Sequence, residues 1–548
     1  MRQAAIYYQP EGYNTLSKHL MGRQAAGEGF LRAAAQSDAS NLACHSLDAK
    51  TAEHFTEQLR QSGFKGQTTW IPLDDVSGLA EAGSLFLPGP NLTDFAWQRL
   101  PVGQRQYSLC GLTHTTASHL AMTAVTDLLV APVRSWDALI CTSRAVRDTV
   151  RYLLEQQSEY LRDRLGAARF ELPQLPIIPL GVHCADYEFT ESQQQSAREQ
   201  LGVGIDEVVI LYVGRLSFHA KAHPQQMMAA LGRVSQGRQL RLLQCGWYAN
   251  EPIENAFKEA AKLLCPSVAF QSVDGRDPEA RRLAWAAGDI FMSLSDNIQE
   301  TFGLTPIEAM AAGLPVIVSD WDGYKDTVRH GVDGFRISTM TPPAPLGADF
   351  AARYELGIDN YDFYCGIVSQ LTALDYGELT EACETLIADK SLRDEMGAAG
   401  RRRAQQHFEW NEVYRQYQLL WGDLAERRRA DPDLYPPIKP RRSPSRPDPF
   451  AAFANYPSAV LSDRDTVSLI GNLQQFQQRR QLMLNQFGTF VQPSANECEI
   501  IVAMLQEEGS ARVDAIVDHF EHRLRAKVAR GLVWLAKMEL IQITRTRE

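Results

Sequence analysis

Glu300 and Glu308, with seven residues between them, frame the stretch of this chain best equipped for chemistry. Glu300 follows the mostly polar Asp296-Asn297-Ile298-Gln299 and precedes Thr301-Phe302, so it reads as a loop carboxylate. In solvent such a group does nothing; facing a substrate, it can stabilise positive charge as it develops. The amides of Gly303, Leu304 and Thr305 then open a helix. Unpaired N–H groups and the helix dipole at that point suit an anion such as a diphosphate. Thr305-Pro306-Ile307-Glu308 also spells a capping box, with Thr305 as N-cap and Pro306 in the first helical position. On local pattern alone, Glu308 reaches back to the cap amide.

Other groups recur at strand ends. Val213-Gly214-Arg215-Leu216 closes an apolar run, and Lys221 follows six positions after Arg215. Alone they are surface cations; past the carboxyl end of a buried strand they can neutralise phosphate charge. Thr113-His114-Thr115 follows another run, where a lone histidine is more often structural. Gly22-Arg23-Gln24-Ala25-Ala26-Gly27-Glu28-Gly29-Phe30 mimics the start of a P-loop, but Glu28-Gly29 stands where Lys-Ser/Thr is required. It reads as a flexible helix-entry turn, open to close approach of a ligand at Gly27 and Gly29. Asp320-Trp321-Asp322 spells an Asp-x-Asp metal motif.

These groups need a scaffold, and the patterning supplies one. Asp289–Leu294 and Pro315–Ser319 read as buried strands around the helix that Gly313 and Pro315 terminate, which makes a βαβ unit and a parallel sheet. Ligands of such sheets bind beyond the carboxyl ends of the strands. The same series includes Val208–Val213, Leu240–Cys245 and Val268–Val273. An earlier series contains Ala4–Gln9, Asn41–Leu47, Thr68–Leu73, Ser84–Leu87, Gln106–Cys110, Ala138–Thr142 and Pro176–Pro179. Helical stretches at Phe30–Gln36, Ala52–Ser62 and Ser143–Glu155 lie between them. Two Rossmann-like α/β domains are expected.

Glu300 to Glu308, with Phe302-Gly303 inside and Glu-Ala-Met-Ala-Ala-Gly-Leu-Pro-Val behind, resembles the donor-binding signature of retaining GT-B glycosyltransferases of family 4. The resemblance covers about residues 1–425 and implies two domains facing a cleft. It implies that Glu308 binds the ribose hydroxyls of a nucleotide sugar and that Glu300 faces the sugar. Arg215 and Lys221 would clamp the diphosphate, with Phe302, Gly303, Leu304 and Thr305 beside it. His114, with Gly27 and Gly29 in a glycine-rich loop, would stand where acceptor and sugar meet. Many relatives have His-Asp and a glycine after the lysine, where this chain has His114-Thr115 and Ala222. Ile178-Pro179-Leu180-Gly181-Val182 resembles the interdomain hinge. No metal or cofactor is implied, because the two cations replace the metal of other glycosyltransferases. Asp320-Trp321-Asp322 is then a coincidence with the metal-dependent GT-A motif, and Asp322-Gly323-Tyr324 a turn near the site. The co-substrate is a UDP-sugar, alternatively a GDP-sugar, and the acceptor a hydroxyl on a glycan, lipid, small molecule or protein. Competing readings are another GT-B activity, phosphorylase or sugar-nucleotide epimerase, and a non-catalytic scaffold.

Composition sets outer limits. With 548 residues, 45% hydrophobic and 22% charged, the chain suits about three ordinary globular domains. The divisions expected are 1–182 for the acceptor domain, 183–395 for the donor domain, 396–428 for crossover helices around Phe408-Glu409-Trp410, 429–462 for a Pro/Arg-rich linker and 463–548 for a helical module. Within the last, 463–487 reads as Gln-rich helix, followed by helices at Glu497–Glu507, Arg512–Phe520 and Leu524–Lys537 and a short strand, an order compatible with a winged helix. That module is a candidate for dimerisation or a protein partner. A net charge of −11 disfavours broad nucleic-acid binding. No run approaches the ~20 apolar residues of a membrane span. Residues 1–10 lack the core of a signal peptide and read as a first strand. Nine cysteines without paired spacing point to reduced thiols and a cytoplasmic setting.

Overall fold

The computed structural model describes residues 2–13, 22–432 and 442–546. The chain forms two compact units, Met1–Ser443 and Pro444–Glu548.

The larger unit contains two six-stranded sheets. The first comprises β1 (Ala5–Tyr7), β2 (Asn41–Ser46), β3 (Gln67–Pro72), β4 (Ser84–Phe86), β5 (Ser108–Leu112) and β6 (Ala138–Ile140), in the order β3-β2-β1-β4-β5-β6. The second comprises β7 (Val208–Val213), β8 (Leu240–Gly246), β9 (Ala269–Asp274), β10 (Ile290–Ser293), β11 (Val316–Ser319) and β12 (Gly334–Ile337), in the order β12-β11-β10-β7-β8-β9. Every pairing in both is parallel. The reason is visible in the strands: all four residues of β10 and of β11 are buried, as helices covering both faces require. Each order reverses once, so β7 and β10 flank the switch point of the second sheet, where ligands of this architecture bind. This is the expected two-lobed GT-B arrangement.

Pro176–Pro179, expected as a strand, makes only an isolated bridge, Cys141 to Ile177. Its two prolines lack the N–H that a ladder needs. The hinge at Gly181-Val182 runs beside the returning chain, with the Val182 amide donating to Phe408 O (2.7 Å) and the Trp410 amide to Val182 O (3.1 Å). The helix Lys390–Arg403 passes through a π turn, Ala404–Phe408, into the helix Trp410–Ala430. That last helix docks Tyr414, Tyr417 and Trp421 against Phe30 and Phe86 of the first lobe. One apolar core therefore runs through both lobes and the crossover.

The Pro444–Glu548 unit packs the helices Ala495–Glu508, Val513–Asp518 and His522–Lys537 with a three-stranded antiparallel sheet. Its central strand, Thr466–Leu469, falls where a Gln-rich helix was expected; the helix itself spans only Leu473–Arg480. Thr466-Val467-Ser468-Leu469 buries Val467, pairs on both sides and precedes the glutamines, so its β-favouring residues take the strand. Of the expected linker, residues 433–441 lie outside the described residues, while the crossover helix runs on to Ala430 and a short helix spans Pro449–Ala452. All nine cysteines are buried free thiols. Among the described residues, no helix is long and apolar enough to cross a membrane.

Candidate active site

The loop after β10 is held from three sides. Ser319 Oγ donates to Ser295 O (2.5 Å), Asn297 Nδ2 to His219 O (3.0 Å) and Trp321 Nε1 to Asn297 O (3.1 Å). Phe302 is buried and meets Phe408 edge-on at 6.2 Å, so its ring anchors the loop and is not open to a ligand as expected. Gly303 has φ +81°, and a Cβ there would come within 2.0 Å of the Tyr324 ring. Only glycine fits.

That glycine also decides where the helix begins. The helix spans Leu304–Ala312 with Gly303 at its N-cap and no side-chain cap bond. Thr305 is therefore the second helical residue and Pro306 the third, and the capping box expected of Thr305 and Glu308 does not form. The amides of Leu304 and Thr305 lie in the uncapped first turn, a ready anion seat. At the far end Gly313 adopts the left-handed conformation expected of a helix stop.

Glu300 is mostly buried and pairs with Lys221. Burial alone would raise its carboxyl, but the Lys221 ammonium and the Thr301 and Phe302 amides hold it below the ordinary carboxylate range. Arg215 lies on the same loop as Lys221, its Nη2 donating to Ala220 O at 2.9 Å. The amide of His223, two residues beyond Lys221, donates to Asp296 (3.3 Å), and burial pushes that carboxyl up to about 7. Glu308 is raised by burial, against the hydrogen bond from Tyr187 and the charges of Arg281 and Lys221. Lys221 is thus felt by both glutamates.

The first lobe closes on this loop. Thr301 Oγ1 donates to His114 O (3.1 Å), while Ser143 Oγ donates to Thr301 O (2.9 Å) and lies 3.4 Å from Asp322 Oδ1. Burial, reinforced by Arg23, lowers the His114 imidazole to about 4, so it is neutral near pH 7. Gly27 and Gly29 do not lie in a loop. They sit within the helix Gly22–Gln36, where a Cβ on Gly27 would meet Gly12 O at 2.4 Å and one on Gly29 would meet Trp410 Nε1 at 2.2 Å. The smallness of Gly29 admits the crossover helix, and that of Gly27 admits the turn at Gly12-Tyr13. The alanines around them supply the helix propensity that the glycines lack. Residues 14–21, which connect β1 to this helix, lie outside the described residues.

The Asp-x-Asp carboxylates diverge. Asp320 pairs with Arg336 (3.3 Å), whereas Asp322, at φ +42°, turns towards Ser143. Burial, with Glu300 nearby, pushes Asp322 up to about 8. Among the described residues no group of acidic, histidine or cysteine side chains is placed to hold a metal. Tyr187, Arg281, Asp296 and Asp322 escaped the sequence reading as site residues. Tyr187 comes from a short turn after the hinge and Arg281 from the helix Pro278–Ala287, so no local spacing ties them to Glu308.

Residues 193–343 match the family described as glycosyl transferases group 1. The chain is similar to D-inositol 3-phosphate glycosyltransferases. With that of Corynebacterium urealyticum it shares 31% identity over 158 residues, 28% of this chain and 37% of that protein. With that of Corynebacterium efficiens it shares 26% over 259 residues, 44% and 60% respectively. It is also 31% identical over 166 residues to the alpha-monoglucosyldiacylglycerol synthase of Streptococcus pneumoniae, 29% of this chain and 35% of that protein. The matches to the two Corynebacterium proteins thus span between about a third and three-fifths of their length. Anabaena Alr3699/HepE, crystallised in complex with UDP, has the same fold over 77% of this chain and all of its own, with a TM-score of 0.51 and 18% identity. The resemblance to group 1 glycosyltransferases of GT-B fold stands.

Proposed function

We propose that the chain is a retaining, metal-independent family 4 glycosyltransferase that moves a sugar from a nucleotide sugar to a hydroxyl acceptor. The observation that carries this reading is the Lys221–Glu300 pair at the switch point, with Arg215 on the same loop and Glu308 one helix turn inside the uncapped Leu304–Ala312 helix. Glu308, beside Tyr187, accepts from the ribose hydroxyls. The diphosphate lies between Arg215, Lys221 and the Leu304 and Thr305 amides. Glu300, ionised by its cationic partner, faces the sugar and stabilises the oxocarbenium-like transition state.

In the reaction the bond from the anomeric carbon to the diphosphate oxygen breaks. A bond to the acceptor oxygen forms on the same face, and the acceptor proton passes to the departing phosphate. Arg215 and Lys221 offset the charge that the leaving group gains. Neutral His114 exchanges hydrogen bonds with a sugar hydroxyl without adding positive charge near the reacting carbon. The contacts of Thr301 with His114 and Ser143 seal the lobes beside Glu300 and keep water from competing with the acceptor.

Uridine is the first base to test, given the UDP complex of the structurally similar Anabaena protein, with guanosine next. Polyol phosphates and diacylglycerol lipids are the first acceptors to test, following the names of the relatives. The decisive experiment measures nucleoside diphosphate release with and without acceptor, for the parent chain and Glu300→Gln. Release that depends on acceptor, yields an α-linked product and is lost in the variant supports transfer. Release requiring only inorganic phosphate, or sugar isomerisation without an acceptor, points to a phosphorylase or an epimerase.

A further inference from the structure

Between Met340 and Ala373 the chain makes an excursion whose neck is closed by a short antiparallel pairing, Thr339 with Leu374 and Met340 with Ala373. It carries two helices, Ala348–Glu355 and Tyr361–Ser369. The second is fixed to the second lobe along its length. Ser369 Oγ donates to Asp296 Oδ1 (2.7 Å), and Gly366 lies so close to His219 that a Cβ would approach its Cβ to 2.9 Å. Both contacts bear on the stretch around Arg215 and Lys221. The opposite end reaches the first lobe, where the Tyr361 hydroxyl lies 3.2 Å from Thr115 Oγ1. The preceding helix adds a second tie: Tyr354 stacks on His119 at 3.7 Å and on Tyr364 at 4.4 Å, and its hydroxyl accepts from the His119 amide (3.2 Å).

We propose that Tyr361 is a specificity-determining residue of the acceptor subsite, selecting polyhydroxylated acceptors. The inference rests on the glycosyl-transfer reading and deepens it. Thr115 adjoins His114, whose carbonyl is bound by Thr301, the neighbour of Glu300, so the Tyr361 hydroxyl stands at the place where acceptor and sugar would meet. A hydroxyl–hydroxyl contact is weak enough to open, and each group both donates and accepts. An acceptor with adjacent hydroxyls bonds Tyr361 and Thr115 at once, two contacts in place of one; a simple alcohol bonds only one of them, with Thr115 Oγ1 keeping its bond from the Ala117 amide (3.4 Å). The helix also links this choice to the diphosphate clamp through Ser369 and Gly366.

The test titrates myo-inositol and n-propanol into the full chain, with and without UDP, for the parent, Tyr361→Phe, Thr115→Val and the double variant. Loss of one neutral hydrogen bond predicts an about fivefold weaker polyol affinity in either single variant. The double variant removes both bonds to the acceptor, so its polyol affinity should fall further than in either single variant, towards that for propanol. Affinity for UDP stays within about twofold in all four, since none of these side chains binds the nucleotide in this reading. Polyol binding that is unchanged in Tyr361→Phe, absent in the parent, or weakened in parallel with propanol overturns the inference. Failure of UDP to bind the parent instead refutes the glycosyl-transfer reading, and the polyol comparison without UDP still decides the role of Tyr361.

Discussion

Replacing Asp322 by asparagine should stabilise the protein, and more so as pH rises. Asp322 Oδ2 is buried without a hydrogen-bond partner, its Oδ1 faces Ser143 Oγ, and Glu300 adds a nearby negative charge. The carboxyl is pushed up to about 8 from an ordinary value of 3.8. Below the ordinary value both folded and unfolded chains hold the proton, and nothing is lost. Between there and about 8 only the folded chain holds it, so stability falls as pH rises and levels off above the folded value. At about 1.36 kcal/mol per pH unit, the cost reaches roughly 4 kcal/mol at pH 7. Asparagine copies the shape of the protonated acid, does not titrate, and tolerates the positive φ. Thermal or denaturant unfolding of both proteins from pH 4 to 8.5 measures the gap between them. It should be near zero at the acid end and widen steadily towards the alkaline end. A gap that is constant with pH, or a variant less stable at pH 8, refutes a buried, neutral Asp322.

Glu300→Gln should lower transfer roughly 10²–10³-fold, as loss of a group that acts on the transition state does, while UDP binding is retained; stopped assays and calorimetry separate the two. Arg215→Ala should weaken UDP by about 2 kcal/mol, roughly thirtyfold, the worth of a charge-assisted contact. His114 is neutral in the folded chain down to about 4, whereas an ordinary histidine takes up its proton near 6.5. The unfolded chain therefore binds the proton first, and stability is lost as pH falls through that window, by about 3 kcal/mol in all. His114→Gln should remove that part of the acid sensitivity, read from unfolding between pH 4 and 7. Gly29→Ala should destabilise by about 1–3 kcal/mol through overpacking against Trp410, yet leave UDP affinity unchanged. Loss of UDP binding would return Gly29 to the site.

The strands were legible because parallel strands covered on both faces write themselves as apolar runs, as in Val208–Val213 and Val316–Ser319. β12 was not, since Gly-Phe-Arg-Ile at the sheet edge carries no such run. Glu300, Arg215, Lys221 and Glu308 stood out through the resemblance to family 4 glycosyltransferases, since local pattern alone makes a cap of Glu308 and solvated charges of the rest; the fold sets Lys221 against Glu300 and brings its charge to bear on Glu308. The capping box failed because Tyr324, outside the local pattern, determines the conformation at Gly303 and so the start of the helix. Gly27 and Gly29 misled for a related reason: a glycine needed for close packing inside a helix looks like a glycine needed in a loop until its neighbours, Gly12 for the one and Trp410 for the other, are in place. The excursion between Met340 and Ala373 has ordinary composition. Only its contacts with Thr115, His119 and Asp296 reveal what it touches.

A crystal structure of the chain with UDP and an unreactive sugar analogue bears most directly on the account. The ribose should hydrogen-bond Glu308, the diphosphate should lie between Arg215, Lys221 and the Leu304 amide, and the sugar should face Glu300. A nucleotide bound away from the ends of β7 and β10, with those four side chains uninvolved, would contradict it.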